Sequence, residues 1–200
     1  MDESELIAAA QRGQTDAFNE LVLHYQSQVY NLAYRIMGDP AAAADATQEA
    51  FISAYQSLDR FRGGSFKSYL MRIVANQCYD ELRRYKRQPT TSFEAFGDVD
   101  EEANPALING DEGPESHLQR QQMSHVIQRG INTLPADQRI TLVLADVQGM
   151  AYKEIADATD VALGTVKSRL ARARAKLRDY LRQETELLPA KYRLEGESTV

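Results

Sequence analysis

Residues 165–181 read TVKSRLARARAKLRDYL and carry six Lys or Arg against a single Asp, in a chain whose formal net charge is −6. Val166, Leu170, Ala173, Leu177 and Leu181 recur at spacings of three and four, which puts them on one face of a helix. Lys167, Arg169, Arg172, Arg174, Lys176 and Arg178 fan around the rest. One side of this helix can pack while the other meets an anion. A solvated amphipathic helix would account for the pattern if the segment stood alone. It does not: residues 151–160, AYKEIADATD, form a short helical pattern with Ile155 and Ala156 inward, and Val161-Ala162-Leu163-Gly164 connects it to the basic helix. Two helices across a short turn make a helix-turn-helix, whose second helix enters the major groove of DNA. Ala156 is small enough for close helix approach, and Val161 and Val166 are placed to fill the corner. Asp160 occupies a turn where Gly is frequent, and Asp tolerates the left-handed conformation better than most residues.

Composition narrows the function class. Two hundred residues with 43% hydrophobic and 26% charged content describe one or two small globular domains. The start, MDESELIAAAQRG, is acidic and has neither the basic region nor the apolar run of a secretory signal, and no stretch approaches the ~18 apolar residues of a membrane span. A cytoplasmic protein with no membrane span is expected. Cys78 stands alone at helical spacing from Val74 and Leu82, which favours a core role over a redox switch. His24, His117 and His125 lack metal-binding spacing. With no phosphate-binding glycine loop, metal cluster or nucleophile-base pairing in the sequence, neither an enzyme nor a bound cofactor is expected.

Charge along the chain exposes its organisation. Residues 1–59 hold nine acids and two bases, whereas residues 60–87 hold eight bases and two acids. Residues 88–119 then carry eight acids and no Lys or Arg, residues 120–163 are nearly balanced, and residues 164–182 are basic again with seven bases and one acid. The acidic strip is rich in Pro, Gly, Asn, Asp and Glu without sustained periodicity and reads as a flexible linker. About 32 residues span roughly 30 Å as a coil and somewhat over 100 Å at full extension, so the two basic elements could sit more than one turn of DNA apart, at roughly 34–36 Å per turn. Phe93 and Phe96 are apolar exceptions within it. The resulting expectation is an all-α chain of two small helical domains: residues 1–87, an N-terminal bundle; 88–119, the linker; 120–182, the helix-turn-helix domain; and 183–200, a tail.

The N-terminal bundle is expected to contain helices over 16–30 and 32–37, a break at Gly38-Asp39-Pro40, a helix over 41–58 and a long helix over 66–87. On the third of these, Ala46, Ala50, Phe51, Ala54, Tyr55 and Leu58 fall inward, and Asp45, Gln48, Glu49 and Gln56 outward. On the long helix, Arg72, Asn76, Asp80, Arg83, Arg84 and Arg87 share much of one face, with an Asp80-Arg84 pair possible. The preceding loop mixes Arg60, Arg62 and Lys67 with Phe61 and Phe66, a combination suited to single-stranded bases and backbone. Gly63 and Gly64 permit close backbone approach.

These segments together resemble the extracytoplasmic-function sigma factors of bacterial RNA polymerase, of the sigma-70 family. DATQEAFISAYQSLDRFRGGSFKSYLMRIVANQCYDELRRYKR is similar to the family's region 2, and LPADQRITLVLADVQGMAYKEIADATDVALGTVKSRLARARAKL to its region 4. Tyr69 departs from the family's usual Trp while remaining aromatic. The resemblance implies a transcription initiation factor. It assigns Asp45, Gln48, Glu49 and Phe51 to the surface that binds the clamp helices of the polymerase largest subunit, and implies a second contact with the polymerase flap. It assigns Arg60, Phe61, Arg62, Gly63, Ser65 and Lys67 to capture of a flipped base of the −10 promoter element, and Asn76, Asp80, Arg83, Arg84 and Arg87 to the adjoining −10 DNA. It assigns Thr165, Lys167, Ser168, Arg169, Arg172, Arg174 and Lys176 to the −35 element. Partners would be core RNA polymerase, promoter DNA in duplex and single-stranded form, and an anti-sigma factor; the linker would thread the polymerase's nucleic-acid channels. A stand-alone helix-turn-helix regulator and a helical signalling adaptor are the alternatives from residues alone. The tail after Arg182 has no counterpart in the family pattern, and Leu187, Leu188, Tyr192 and Leu194 give it some apolar character.

Overall fold

The computed structural model of the protein describes residues 2–87 and 114–184, with side chains described over 2–85 and 121–184. The tail beyond Glu184, Phe93, Phe96 and most of the acidic segment lie outside the described residues. Eight α-helices and no strand make up the described residues.

An α-helix that periodicity does not reveal opens the chain: α1, Glu3–Gln11. Asp2 caps it, its carboxylate accepting from the Glu3 N–H at 2.8 Å while its own N–H donates to Glu5 at 3.1 Å. This reciprocal box satisfies donors that the first helical turn leaves open. Helix α2, Thr15–Met37, is continuous where the sequence suggests two pieces. It ends at Gly38, whose φ of 76° is left-handed and whose N–H bonds Tyr34 O at 2.8 Å. Asp39 then caps α3, Pro40–Gln56, by accepting from the Ala42 N–H at 2.7 Å, with Pro40 at the position where a missing N–H costs nothing. Helix α3 buries Ala43, Ala46, Ala50 and Ala54, a small-residue stripe that lets α2 and α4 approach closely. A 3₁₀ turn, Leu58–Arg60, leads to α4, Phe66–Arg87.

Core residues from these helices include Leu21, Leu32, Ile36, Phe66, Leu70 and Met71, all nearly or fully inaccessible. Tyr69 keeps the aromatic packing expected of its position, against Phe61 and Phe66 at 5.1 and 5.7 Å between ring centroids. Its hydroxyl lies within 3.1 Å of Ala54 O and 2.7 Å of Ser57 Oγ. A buried phenol hydroxyl requires such partners.

The second half comprises α5, Pro114–Asn132; α6, Ala136–Leu142, which widens into a π-helical turn over Val143–Val147; α7, Tyr152–Thr159; and α8, Leu163–Gln183. Helix α5 begins at Pro114, so residues 114–119 of the segment read as a linker are helical. Helix α8 begins two residues earlier than expected, which shortens the corner to three residues. Ile155, Val166 and Leu170 fill that corner, fully or almost fully buried. Asp160 closes α7 with φ 51° and ψ 48°, the only described residue other than Gly at positive φ. Helices α5 and α8 meet at Gly130, where an added Cβ would lie 2.6 Å from Leu177.

The two halves are not separate bodies. Their buried residues form one cluster, with α4 packed on α6 and α7, and α2 on α5. The two helical domains expected from length and charge therefore pack on each other, through apolar residues of both and through polar contacts that have no periodic signature. Arg139 is only 5% exposed, and its guanidinium donates to Ile36 O at 2.8 Å, to Asn132 O, and to Leu134 O at 3.3 Å. Its charge thus rests on carbonyls at the end of α2 and after α5, where helix termini carry partial negative charge and unsatisfied acceptors. Burial lowers the Arg139 pKa to about 10, which leaves it protonated at neutral pH. Arg35 donates to Gln128 Oε1 at 3.0 Å and Ser124 Oγ at 3.2 Å, and Gln128 returns a bond to Arg35 O at 3.3 Å. Asn132 lies so close to Gly38 that a Cβ there would sit 2.5 Å from its amide. Each such hydrogen bond adds only about 0.5–1.5 kcal/mol net, and more where a charge is involved.

The left-handed cap yields a stability prediction. That conformation costs an L-residue roughly 1–2 kcal/mol, and the greater chain entropy of unfolded Gly returns part of this. Asp160→Gly is expected to stabilise the protein by about 0.5–1 kcal/mol, with about 2–4 °C in Tm for each kcal/mol. Thermal unfolding followed by circular dichroism checks it, and a lower Tm for the variant contradicts it.

Candidate nucleic-acid and polymerase interface

The loop between the 3₁₀ turn and α4 is held from below and open above. Gln11 donates to Leu58 O and Phe61 O, both at 2.9 Å, so α1 pins the loop backbone. Phe61 does not project; its half-buried ring packs edge-on against Phe66 at 5.6 Å. Ser65 starts α4 by accepting from the Ser68 N–H at 3.1 Å. Between these anchors Arg60, Arg62, Gly63 and Gly64 are exposed. The glycines have φ of 99° and 94°, and a Cβ on either would meet no atom within 4 Å, so Gly is required there by conformation rather than by crowding. Arg60, Arg62, Gly63, Tyr69 and Arg72 line a cavity of about 480 Å³. Lys67 is half-buried at its rim.

Along α4, Arg72, Asn76, Asp80, Arg83 and Arg84 are all exposed, as their spacing requires. Arg72 lies 5.9 Å from the Tyr69 ring and Arg83 5.6 Å from that of Tyr79, which steadies both side chains. Arg84 pairs with Glu81 and not with Asp80, because the three-residue spacing brings Glu81 beside it. The side chain of Arg87 lies outside the described residues.

The basic face of α8 divides. Lys167, Arg172 and Lys176 are exposed, and Thr165 and Ser168 are half-buried, with the Ser168 hydroxyl donating to Thr165 O at 3.0 Å. Arg174 is held by Asp146 of the π turn through two bonds, at 3.0 and 2.6 Å; that carboxylate, with the Tyr152 hydroxyl, pushes its pKa up further. Arg169 turns back to Asp137 of α6 at 3.1 Å, with 21% of its side chain exposed. Neither restraint was visible in the sequence, since Asp137 and Asp146 lie some thirty residues away from their partners.

Asp45, Gln48 and Glu49 form an exposed edge of α3, with Phe51 half-buried beside it. The same edge exposes Ile52 and Tyr55, at 42% and 41%. Tyr55 was expected inward; it lies at the margin, its ring 4.9 Å from that of Phe18. The spacing of 45, 48, 49, 52 and 56 along one helix edge is the signal that places Ile52 there.

A third feature joins the halves at this site. Glu154 accepts from the Ala151 N–H at 2.9 Å, completing the start of α7, and from the Ser68 hydroxyl of α4 at 2.8 Å. These two bonds, with Lys67 nearby, hold its pKa below the usual carboxylate value. Glu154 and Asp157 line the same cavity as Arg60, Arg62 and Arg72.

Elsewhere, no group of His, Cys, Asp and Glu among the described residues is arranged to hold a metal, and no described helix is long and apolar enough to cross a membrane. Cys78 is fully buried, and burial pushes its thiol up to about 12.

Among the described residues, a helix-turn-helix in one half, a basic loop and helix in the other and an acidic-apolar edge beside them make the arrangement of a helical DNA-binding protein. Comparison with known proteins agrees. Residues 21–88 match Sigma-70 region 2 and residues 124–177 match Sigma-70 region 4. The RNA polymerase sigma-H factor of Pseudomonas aeruginosa is 35% identical over 173 residues, covering 86% of this chain and 90% of its own. The ECF RNA polymerase sigma-E factor of Escherichia coli K12 is 36% identical over 186 residues, covering 87% and 91%. Among solved structures, the sigma factor RpoE in complex with the anti-sigma factor NepR from Bartonella quintana shares the fold, with a TM-score of 0.62 at 23% identity, over 82% of this chain and 96% of its own. CnrH in complex with the cytosolic domain of CnrY matches with the same TM-score at 24% identity, over 88% and 94%. The chain belongs to the sigma-70 family, among its extracytoplasmic-function members. It is a promoter-directing transcription initiation factor and not an enzyme.

The state of Cys78 gives a direct test, because only the thiolate reacts. The native protein is expected to leave Cys78 unmodified by a thiol reagent at pH 8, with one equivalent reacting in guanidinium. Rapid modification of the folded protein would contradict this burial.

Proposed function

We propose that this sigma factor reads its promoter at two places and binds core polymerase through a third. The loop from Arg60 to Lys67 captures an extruded base of the −10 element, and Asn76, Asp80, Arg83, Arg84 and Arg87 of α4 follow the adjoining backbone. Helix α8 enters the major groove at the −35 element, led by Lys167 and Arg172, with Thr165, Ser168 and Lys176 beside them and Arg169 and Arg174 available once freed from their carboxylates. The edge formed by Asp45, Gln48, Glu49 and Phe51 binds the clamp helices of the polymerase largest subunit, and the second half contacts the flap. The observation that carries this reading is the exposure of two basic faces on a protein of net charge −6, beside an exposed edge that is acidic and apolar.

The chemistry follows from binding alone. Unstacking a base costs a few kcal/mol, and a pocket that holds the extruded base offsets it. Cationic side chains around the pocket take the phosphates, and the glycines let the backbone approach. Arg or Lys on guanine edges supplies ~1–3 kcal/mol of discrimination for each well-formed contact. Net negative charge outside these faces restrains indiscriminate binding, so affinity depends on the polymerase. The acidic segment 88–113, by the same reading, passes through the polymerase channels that later hold RNA. An anti-sigma factor would act by covering one or more of these faces, and the factor would work in the cytoplasm with its polymerase.

Reconstitution with core polymerase and run-off transcription on genomic fragments tests the reading. Wild-type protein is expected to give discrete promoter-dependent transcripts. K167A/R172A should reduce them at least tenfold through weaker promoter binding, since two lost contacts at ~1 kcal/mol or more exceed that factor. R60A/R62A should retain promoter binding and lose permanganate-reactive thymines in the −10 region. Transcription that is independent of the protein, or unaffected by both variants, would overturn it.

A further inference from the structure

We infer that Gln11, the last residue of α1, is a positioning residue for base capture, holding the backbone of the loop before α4 in the conformation that receives an extruded base. The inference rests on the promoter reading above and adds to it a helix that the match to Sigma-70 region 2, which begins at residue 21, does not include. Its basis is one side-chain amide. Gln11 Nε2 donates to Leu58 O and to Phe61 O, both at 2.9 Å, across 47 and 50 residues of chain. A primary amide carries two N–H groups, and here two acceptors meet them. The accepting carbonyls stand on either side of Asp59 and Arg60, so the stretch that carries Arg60 is held at both ends, immediately before Arg62.

The tip of the loop has little of its own to fix it. Gly63 and Gly64 sit at positive φ with open space beside them, and Arg60 and Arg62 are exposed. At the far end Ser65 is fixed by starting α4. At the near end the Phe61 N–H closes the 3₁₀ turn on Leu58 O at 3.1 Å, and that carbonyl is one of the two that Gln11 holds. Packing of the Phe61 ring on Phe66 and Tyr69 anchors a side chain. The Gln11 amide anchors the backbone.

Helix α1 is a firm support for that amide. Leu6, Ile7, Ala9 and Ala10 are buried along it. Near its start the Tyr25 hydroxyl donates to Glu3, and the Tyr25 ring lies 5.7 Å from Phe66, which in turn meets Phe61. The helix is thus tied at one end to the aromatic cluster under the loop and at the other to the loop itself. Gln11 is exposed, so its two bonds bear more on where the loop sits than on whether the chain folds. A loop already ordered for its ligand binds without the entropy cost of ordering it on contact.

Two measurements on the full-length chain test this role. Gln11→Met keeps the length of the side chain without its donors, and Gln11→Glu keeps its shape while turning an acceptor toward two carbonyls. In the first measurement each variant is assembled with core polymerase and bound to promoter DNA that is duplex at −35 and single-stranded over −10, either intact or lacking one base. The captured position is the one at which a missing base weakens wild-type binding most. Both variants are expected to bind the intact strand about tenfold more weakly than wild type, and the strand without the captured base as tightly as wild type does. General damage to the fold would weaken both alike. In the second measurement hydrogen exchange in the free chain is followed by nuclear magnetic resonance. The Phe61 amide should exchange about tenfold faster in Gln11→Met, while that of buried Val74 on α4 keeps the wild-type rate. Unchanged binding of the intact strand, an equal loss on both strands, or wild-type exchange at Phe61 would each overturn the role of Gln11. If no missing base weakens binding by wild type, the base-capture reading falls instead, and the exchange rate at Phe61 still decides whether Gln11 holds the loop.

Discussion

Arg139 carries a positive charge into the seam between the two halves with only carbonyl oxygens to receive it. A buried charge without a carboxylate is costly, and the cost rises further when a donor is left over, as the Arg139 Nε is. The guanidinium tolerates this place because three carbonyls converge on it, one from the end of α2, one from the last residue of α5 and one from the turn that follows. Those oxygens would otherwise be the unsatisfied ends of helices inside the protein. The rest of the seam follows from that arrangement. Gln128 and Asn132 of α5 are brought over the end of α2, Gly38 must lack a side chain to admit Asn132, and α7 comes to rest along α4. These polar contacts lie beside an apolar cluster to which both halves contribute.

Charge is distributed unevenly on the two sides of this seam. The chain segregates its acids and bases so sharply that each half carries both an exposed basic face and an acidic surface. In the first half the acidic surface is the α3 edge, where Ile52 and Tyr55 add apolar area to Asp45 and Glu49. In the second it is α7, whose Glu154 and Asp157 line the same cavity as Arg60, Arg62 and Arg72. Arg169 and Arg174 show the pattern on a smaller scale, each satisfied by an aspartate of its own half until a better anion is offered.

Much of this was legible in the sequence, and what was not has a common cause. Helical periodicity placed α3, α4, α7 and α8 to within a few residues, because their buried faces repeat at three and four. It set the outward positions of Arg72, Asn76, Lys167 and Arg172 by the same rule, and Asp160 announced its left-handed cap by its place in the turn. Helix α1 was hidden because its signal is a capping box and not a long apolar face. The Glu81 partner of Arg84 was a choice between two acids one residue apart. The docking of the halves left no trace, since Arg139, Gln128 and Ser68 are polar residues whose partners lie 86 to 103 residues away. Pairing over such distances depends on tertiary geometry that no local pattern encodes.

The two halves pack as one body in this structure, whereas the proposed function has each half engage its own promoter element. The distance between a spin label at exposed Gln56 on α3 and one at exposed Lys176 on α8, measured by pulsed electron resonance, tests it most directly. A single narrow distribution for the free protein, matching the closed structure, should give way to a separate and longer one when core polymerase is added. A distribution that is already broad in the free protein, or the same one in both states, would contradict it.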